Sequence, residues 1–348
     1  MSQTPARVVV FGLGGTIAMT PTATGGVTPT LSADDLVNAV PELAQTGISI
    51  DVVDFRRIPG ASIGFADLDE LLAAVDQCFQ EGAAGAVITE GTDPIEEVAY
   101  YLDLRYSGPN PVVVTGAMRN PAMAGADGPA NLLAAILTAA APTARGHGVL
   151  VALNDEIHLA SQVRKTHTTA TSAFGSPNSS AYALLVEGQP RWLHRPSTRL
   201  TVPYADSGRT GRRPVVAVHT AMLDDEPTLV DGIEERVDGL IVAGMGVGHV
   251  HAALVEPLAK AAARIPVILS SRIGRGPSLT RTYAFKGSER DLIEHGLISA
   301  GFLDPLKARI LLRTLLSSYA TLAQTKQAFA AAGNTADIPW PWPQTGEA

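Results

Sequence analysis

The sequence predicts an α/β protein with a larger parallel-sheet domain first and a smaller α/β domain after it. Three observations carry that prediction. Short apolar runs alternate with helix-period patterns from Val8 to about Leu185, as βαβ units require. A stretch rich in Pro, Gly and Arg then interrupts the alternation. From Val215 the alternation resumes, and 348 residues leave room for two domains with cores of their own.

The first expected strand is 7–11, with Val8-Val9-Val10-Phe11 as its apolar run. It ends in Gly12-Leu13-Gly14-Gly15-Thr16-Ile17-Ala18. A dinucleotide fingerprint would need a third glycine where Ile17 stands, and a helix directly after it. Pro21, Gly25, Gly26 and Pro29 instead break the next fifteen residues. What remains is a hydroxyl, Thr16, on a glycine turn ahead of a long loop without structure of its own. Such loops are often lids.

Next come an expected strand at 49–55, a helix at 65–81 and a strand at 85–89. The last of these runs into Thr89-Glu90-Gly91-Thr92-Asp93-Pro94-Ile95-Glu96-Glu97, with a helix expected over 94–104. Thr92 and Asp93 thereby stand at the carboxyl end of a strand and the amino end of a helix, where open α/β sheets bind ligands and where helices favour anions. A plainer reading competes. Asp93 as N-cap, Pro94 at the first helical position and Glu96 at the third make an ordinary capping box. A strand at 111–115, a helix at 128–140 and a strand at 148–153 follow. After them Asn154-Asp155-Glu156-Ile157-His158 leads to Val163-Arg164-Lys165-Thr166. A lone lysine is by default a solvated surface charge. Beside Asp93, Lys165 could instead take a proton from a threonine, a weak nucleophile until a base activates it.

The domains read as 1–188, carrying these motifs, a linker at 189–213, and 214–348. The linker contains Pro190, Pro196, Pro203 and Gly208 with Arg191, Arg195, Arg199, Arg209, Arg212 and Arg213. The second domain should hold strands at 215–220, 239–243 and 266–271 and helices at 250–263, 304–319 and 320–332. An irregular tail is expected from Asn334.

Composition fits a soluble globular enzyme, with 46% hydrophobic and 5% aromatic residues. A net charge of −8 argues against nucleic-acid and anionic-membrane partners. The single cysteine, Cys78, excludes an internal disulfide. Neither a signal region before the first strand nor an apolar run of membrane-spanning length is seen, so a cytoplasmic location is expected. The histidines show no metal-ligand spacing beyond the pair His249 and His251, which reads more simply as a polar helix start. His167 reads as a solvated or hydrogen-bonded histidine. A G-x-S-x-G elbow is missing, which disfavours a serine triad.

Taken together, the chain resembles the bacterial-type asparaginase/glutaminase family from about Val8 to about Gly333. The resemblance rests on Gly14-Gly15-Thr16-Ile17-Ala18, on Gly91-Thr92-Asp93-Pro94-Ile95-Glu96-Glu97, and on Thr115-Gly116-Ala117-Met118-Arg119 with Asp127-Gly128-Pro129. Asn154-Asp155 ahead of Lys165, then Ser270-Ser271-Arg272 and Lys307-Ala308-Arg309, extend it. It implies hydrolysis of a side-chain amide to a carboxylate and ammonia, with no metal and no organic cofactor. It implies Thr16 as primary nucleophile, Thr92 as second catalytic threonine, and Asp93 and Lys165 as activating partners. Ser62 would hold the substrate α-carboxylate, Asp93 would face the α-ammonium, and the Ala117 carbonyl would meet the amide nitrogen. Backbone N–H groups of Gly15 and Thr92 are the expected oxyanion donors. The family completes its sites across a subunit contact, so a homo-oligomer is expected, a dimer or dimer of dimers, with His249 and Tyr283 on the partner's side.

The chain also departs from the family pattern. The loop after Thr16 lacks the family's tyrosine; its aligned residues are Thr24-Gly25-Gly26-Val27-Thr28-Pro29. Ile63 stands where a polar residue usually follows the serine, the acidic residue that the neighbouring subunit often lends to the α-ammonium is replaced near Tyr283, and His249 stands in place of an asparagine. The expected function is therefore amide hydrolysis with L-asparagine as first substrate. The alternatives are an amidase for a modified or larger amide, which Ile63 and Tyr283 favour, and a non-catalytic amino-acid-sensing homologue, which the intact Thr16, Thr92, Asp93 and Lys165 disfavour.

Overall fold

A computed structural model describes residues 5–21, 25–194, 199–205 and 212–343. The chain divides into two compact units, Met1–Arg199 and Leu200–Ala348.

In the first unit the strands are β1 (Arg7–Gly12), β2 (Met19–Pro21), β3 (Val27–Pro29), β4 (Ser49–Asp54), β5 (Gly85–Thr89), β6 (Val112–Thr115) and β7 (Val149–Leu153), followed by β8 (Glu156–Leu159), β9 (Arg164–Lys165), β10 (Phe174–Gly175), β11 (Ala183–Val186) and β12 (Gln189–Trp192). The helices are α1 (Ala33–Asn38), α2 (Phe65–Gln80), α3 (Ile95–Arg105) and α4 (Gly128–Ala140). Eight strands form one sheet in the order β12-β11-β8-β7-β6-β5-β1-β4. Strands β4, β1, β5, β6 and β7 are parallel, as expected. From β4 the chain crosses over β1 to β5, so the strand order reverses between β1 and β5. Their carboxyl ends carry Gly15–Thr16 and Gly91–Thr92.

The expected parallel sheet carries antiparallel strands at its other edge. Strands β8, β11 and β12 are antiparallel additions. Two tight turns cause this. Asn154 and Asp155 both take positive φ, 52° and 60°, and turn β7 back into β8. Glu187 at 51° and Gly188 at 71° turn β11 into β12 in the same way. Paired left-handed residues are the signature of two-residue hairpins. The stretch 189–213, expected as a linker, thus opens with a strand, and Pro190 is tolerated because β12 is an edge strand. Residues 195–198 and 206–211 of that stretch, with Arg195, Pro196, Gly208 and Arg209, lie outside the described residues.

The long loop after Thr16 also differs from expectation. It forms a ribbon of β2 on β3, pairing Met19 with Pro29 and Thr20 with Thr28. Thr20 and Thr30 hydroxyls bond at 2.6 Å across it. Thr24, the first residue of the region aligned with the missing tyrosine, lies outside the described residues. Helix α1, unforeseen because it is one and a half turns long, starts at a capping box of Ser32 and Asp35. The core packs α1 and α4 on one sheet face through Val8, Val10, Val87, Val113, Leu132 and Ile136. Cys78 is buried on α2, where burial pushes its thiol up to about 11.

The second unit holds β13 (Val216–Thr220), β14 (Gly239–Gly244), β15 (Val267–Ser271) and β16 (Ile298–Ser299), with α5 (Val255–Ala262), α6 (Glu289–Glu294), α7 (Pro305–Ser317) and α8 (Leu322–Ala332). Its sheet runs in chain order, all parallel. Arg309 on α7 donates from Nε to the Val216 carbonyl at 3.1 Å, pinning the helix to β13. The described part of the tail from Asn334 is irregular, as expected, yet Trp340 is buried and donates to the Thr201 carbonyl at 2.7 Å.

Candidate active site

Three glycines converge at the reversal point of the first sheet. A Cβ on Gly91 would come within 3.3 Å of Gly60 Cα and 3.4 Å of Gly15 Cα. A Cβ on Gly15 would fall inside the backbone of Gly91, and its φ of 85° is one that side chains rarely adopt. The hydrogen bonds Leu13 N to Thr89 O and Glu90 N to Thr115 O, 2.9 and 3.0 Å, hold the strand ends in register. Thr16 follows Gly15 directly, Thr92 follows Gly91, and Ser62 lies two residues after Gly60. The close contact of three backbones therefore gathers the three hydroxyl-bearing residues that the sequence singled out.

Thr16 opens a 3₁₀ turn, Thr16–Ala18, with Ile17 and Ala18 buried beneath it. Ser62 ends the turn Gly60–Ser62 and is exposed, while Ile63 beside it is half-buried. Among the described residues neither Thr16 nor Ser62 spends its hydroxyl on a hydrogen bond.

Thr92 is buried, and its Oγ1 accepts a hydrogen bond from Lys165 Nζ at 2.9 Å. The same Nζ donates to Asp93 Oδ1 at 2.6 Å. Lys165, the lone lysine whose default reading was a surface charge, has a side chain only 14% exposed, against 80% for Asp93. The capping-box reading of Asp93 is overturned. Helix α3 starts at Ile95 with Pro94 in the cap position and no side-chain cap, because the Asp93 carboxylate is engaged by Lys165.

The turn after β6 packs on Thr92: a Cβ on Gly116 would lie 3.3 Å from Thr92 Cγ2. Its shape is fixed from α4. Asp127 accepts from Met118 N at 3.0 Å and Arg119 N at 2.9 Å. Asn131 Nδ2 donates to the Gly116 carbonyl at 2.9 Å. Asn131 Oδ1 in turn accepts from Asn154 N, which ties the β7–β8 hairpin to the same turn. Ala117 is buried between these anchors, with its neighbours' polar groups committed. Asn131 was missed by sequence reasoning; its place one helical turn after Asp127, on the same face, was the available signal.

Glu90 was also missed as a special residue. It is fully buried, neither carboxyl oxygen has a hydrogen-bond partner among the described residues, and burial pushes its carboxyl well above the usual range. Its position between a strand end and Gly91 gave no signal of burial.

In the second unit His249 Nε2 meets the buried Glu289 carboxylate at 3.1 Å and packs edge-on to the Tyr283 and Phe285 rings, each 4.9 Å away. Glu289 also accepts from the Thr282 and Tyr283 N–H groups, both at 2.8 Å. His251 instead caps the turn Ala252–Leu254 with its own imidazole, so the two histidines do not act as a pair. His167 Nδ1 accepts from Thr169 N and Ala170 N, a turn role. Among the described residues there is no group of three or more His, Cys, Asp or Glu placed to hold a metal, and no helix long and apolar enough to cross a membrane.

The chain is similar to known proteins over most of its length. The profile of a family described as "Asparaginase, N-terminal" matches residues 7–198. That of the "Glutaminase/Asparaginase C-terminal domain" matches 215–329. A probable periplasmic L-asparaginase of Haemophilus influenzae is 35% identical over 301 residues, covering 82% of this chain and 81% of the relative. L-asparaginase 2 of Escherichia coli is 32% identical over 337 residues, covering 93% and 92%. The crystal structure of a probable cytoplasmic L-asparaginase from Campylobacter jejuni superposes with a TM-score of 0.82 at 29% identity, covering 93% of this chain and 99% of that one.

Proposed function

This chain belongs to the asparaginase family and is an amidohydrolase, and from that premise we propose that it cleaves a side-chain amide, with L-asparagine as reference substrate, through Thr16. The observation that carries the proposal is the contact of Lys165 Nζ with both Thr92 Oγ1 and Asp93 Oδ1, beside the Gly15–Gly91 packing that brings the Thr16 turn to the same place. A threonine needs such a relay to become nucleophilic.

In this mechanism Thr16 Oγ1 attacks the amide carbon while its proton leaves toward the Thr92–Lys165 relay. The C–N bond breaks, the nitrogen takes up the proton and departs as ammonia, and an ester to Thr16 remains. Water, losing its proton to the same relay, hydrolyses the ester and restores the threonine. The Gly15 and Thr92 N–H groups would stabilise the oxyanion, a contribution of about 3 kcal/mol per donor. Ser62 and Asp93 would hold the α-carboxylate and α-ammonium, and the Ala117 carbonyl the amide nitrogen. We include in the proposal a cytoplasmic location and a homo-oligomer, with His249 and Tyr283 facing a partner's site; light scattering that finds an active monomer would remove the shared site.

A modified or larger amide is the second reading, favoured by the apolar Ile63 next to Ser62. A free α-ammonium taken from water must be paired, and one missing hydrogen bond to a charged group costs about 1.5–3 kcal/mol, or roughly ten- to a hundredfold in affinity. We expect free L-asparagine to bind weakly and an N-acylated asparagine to compete well. The test is kcat/KM for both compounds on one preparation, with ammonia as the common product. Strong preference for free L-asparagine removes the second reading; ammonia release from no amide at all would leave the sensing homologue.

A further inference from the structure

One buried carboxylate ties together the two second-unit segments that carry His249 and Tyr283. His249 closes a turn in which its N–H donates to the Met245 carbonyl and its carbonyl accepts from Met245 N, both at 2.8 Å. Tyr283 lies on the loop before α6, and that helix start sets the loop's shape. Ser288 Oγ donates to the Tyr283 carbonyl at 2.9 Å, and Glu289 Oε1 accepts from both Thr282 N and Tyr283 N. Oε2 of the same fully buried Glu289 meets His249 Nε2 at 3.1 Å.

These bonds decide which ring nitrogen of His249 carries a proton. Burial pushes the Glu289 carboxyl up, but the N–H groups of Tyr283, of Glu289 itself and of Thr282, with His249, outweigh it and hold the carboxyl below its ordinary value. An ionised carboxylate only accepts hydrogen bonds, so the proton of the His249 contact belongs to Nε2. The other ring nitrogen, Nδ1, makes no hydrogen bond among the described residues. In a neutral imidazole, a proton on Nε2 leaves Nδ1 as an acceptor. The Tyr283 and Phe285 rings, at 85° and 72° to the imidazole, fix its plane. The His249 side chain stays 22% exposed, so this acceptor is open to a ligand. We infer that Glu289 is a positioning residue: it sets the Nε2–H tautomer of His249 and so makes Nδ1 the acceptor for an N–H of the substrate's α-nitrogen, on the reading that His249 faces a partner's site. Nδ1 then supplies the acceptor that Ile63 does not. A neutral acceptor serves an ammonium and an acylated N–H alike, which fits the competition expected between the two compounds.

Glu289→Gln reverses the tautomer while filling the same space. The amide oxygen still accepts from Thr282 N and Tyr283 N, and the amide NH₂ now faces His249 Nε2. That nitrogen must become an acceptor, so the proton moves to Nδ1 and the acceptor there becomes a donor. Nitrogen-15 spectra of histidine-labelled enzyme, with the His249 signals assigned by their loss in His249→Gln, should show Nε2–H in the parent and Nδ1–H in Glu289→Gln. KM for L-asparagine should rise about ten- to a hundredfold, the worth of one hydrogen bond to a charged group, with kcat and melting temperature close to those of the parent. Succinamic acid, which is asparagine without its α-nitrogen, should keep the parent's KM. In a His249→Gln background, where an amide can present either end, Glu289→Gln should add little further. An unchanged tautomer in Glu289→Gln overturns the inference, and so does a reversed tautomer with an unchanged KM for L-asparagine. An equal rise in KM for succinamic acid overturns it too, since that is the mark of a loop merely displaced. Failure of the shared-site reading has a different mark, a fully active monomer in light scattering, and leaves the tautomer measurable.

Discussion

Both units are built on parallel strands, and both gather hydroxyls, carboxylates and a basic side chain at the strands' carboxyl ends. In the second unit the His219, Ser270, Ser271 and Arg272 side chains are already spent inside their own unit. His219 Nε2 bonds the buried Asp225 at 2.9 Å, and the same carboxylate accepts from Met222 N. Ser270 donates to the Leu303 carbonyl, Ser271 to that of Gly246, and Arg272 to that of Ala221. In the first unit the Thr16 and Ser62 hydroxyls are uncommitted among the described residues, and the Asp93 carboxylate is largely exposed. The difference follows strand order. The first sheet reverses at β1 and β5 and opens a crevice there, whereas the second runs β13-β14-β15-β16 without reversal. Residue type at a strand end is thus a weak sign of function; residue type at a reversal, with bonding capacity unspent, is a strong one.

The sharpest way to break this contrast is to delete matched hydroxyls. Thr16→Ala should lower turnover by about a thousandfold or more, with a melting temperature near that of the parent, because the side chain bonds nothing described. Thr92→Ala should be severely impaired too, and the double variant little worse than the worse single, as for groups that act as one unit. Ser270→Ala in the second unit should do the reverse and leave kcat alone. An active Thr16→Ala enzyme would end the assignment of the nucleophile.

Lys165→Met comes next in size. The change keeps length and removes the amine, so kcat should fall by about 10²–10⁴-fold, the range for a lost acid–base group, with modest change in melting temperature. Retained activity with collapsed stability would recast Lys165 as a structural ion-pair partner of Asp93.

The contrast also explains what could be read in advance. Strands such as 85–89 and helices such as 128–140 were legible because their apolar periodicity is set by burial in one core. The hairpins at Asn154-Asp155 and Glu187-Gly188 were not, because neither pair is the Asn-Gly or Asp-Gly that marks such turns most clearly, and Pro190 pointed away from a strand. Thr16, Thr92, Asp93 and Lys165 were named from sequence, but their approach was not visible: Lys165 is 73 residues from Thr92, and only the fold closes that gap. The convergence of Gly15, Gly60 and Gly91 belongs to the same class, since a close backbone approach leaves no trace beyond the glycines themselves.

In the second unit the spent groups should matter for stability alone. Asp225→Ala leaves the buried His219 imidazole and the Met222 N–H without their acceptor, which should cost about 2–3 kcal/mol of unfolding free energy. Chemical denaturation measures that loss, and kcat of the folded fraction should stay near that of the parent. A large fall in kcat with unchanged stability would mean that the second unit's strand ends serve the reaction after all.

The smallest effect concerns two titratable groups that the first unit buries. Burial pushes the His158 imidazole down to about 4, outweighing the half-exposed Glu156 carboxylate 3.2 Å away, while burial pushes Glu90 up. Their consequences for stability have opposite pH windows. The unfolded chain protonates His158 near its ordinary value of about 6.5, the folded chain only near 4. Between those values the unfolded state binds more protons, so His158 destabilises the fold as pH falls, by roughly 1 kcal/mol from pH 7 to pH 5.5. Glu90 in the unfolded chain loses its proton near the usual carboxylate range, but the folded chain retains it to higher pH. Here the folded state binds more protons, so stability is lost as pH rises above that range. His158→Gln should flatten the acid side of the stability profile and leave the alkaline side, and Glu90→Gln should do the converse. Parallel profiles for parent and variants would show that neither burial governs the pH response, and that the titrating groups lie elsewhere, the half-buried Asp103 being another carboxyl held above its ordinary value.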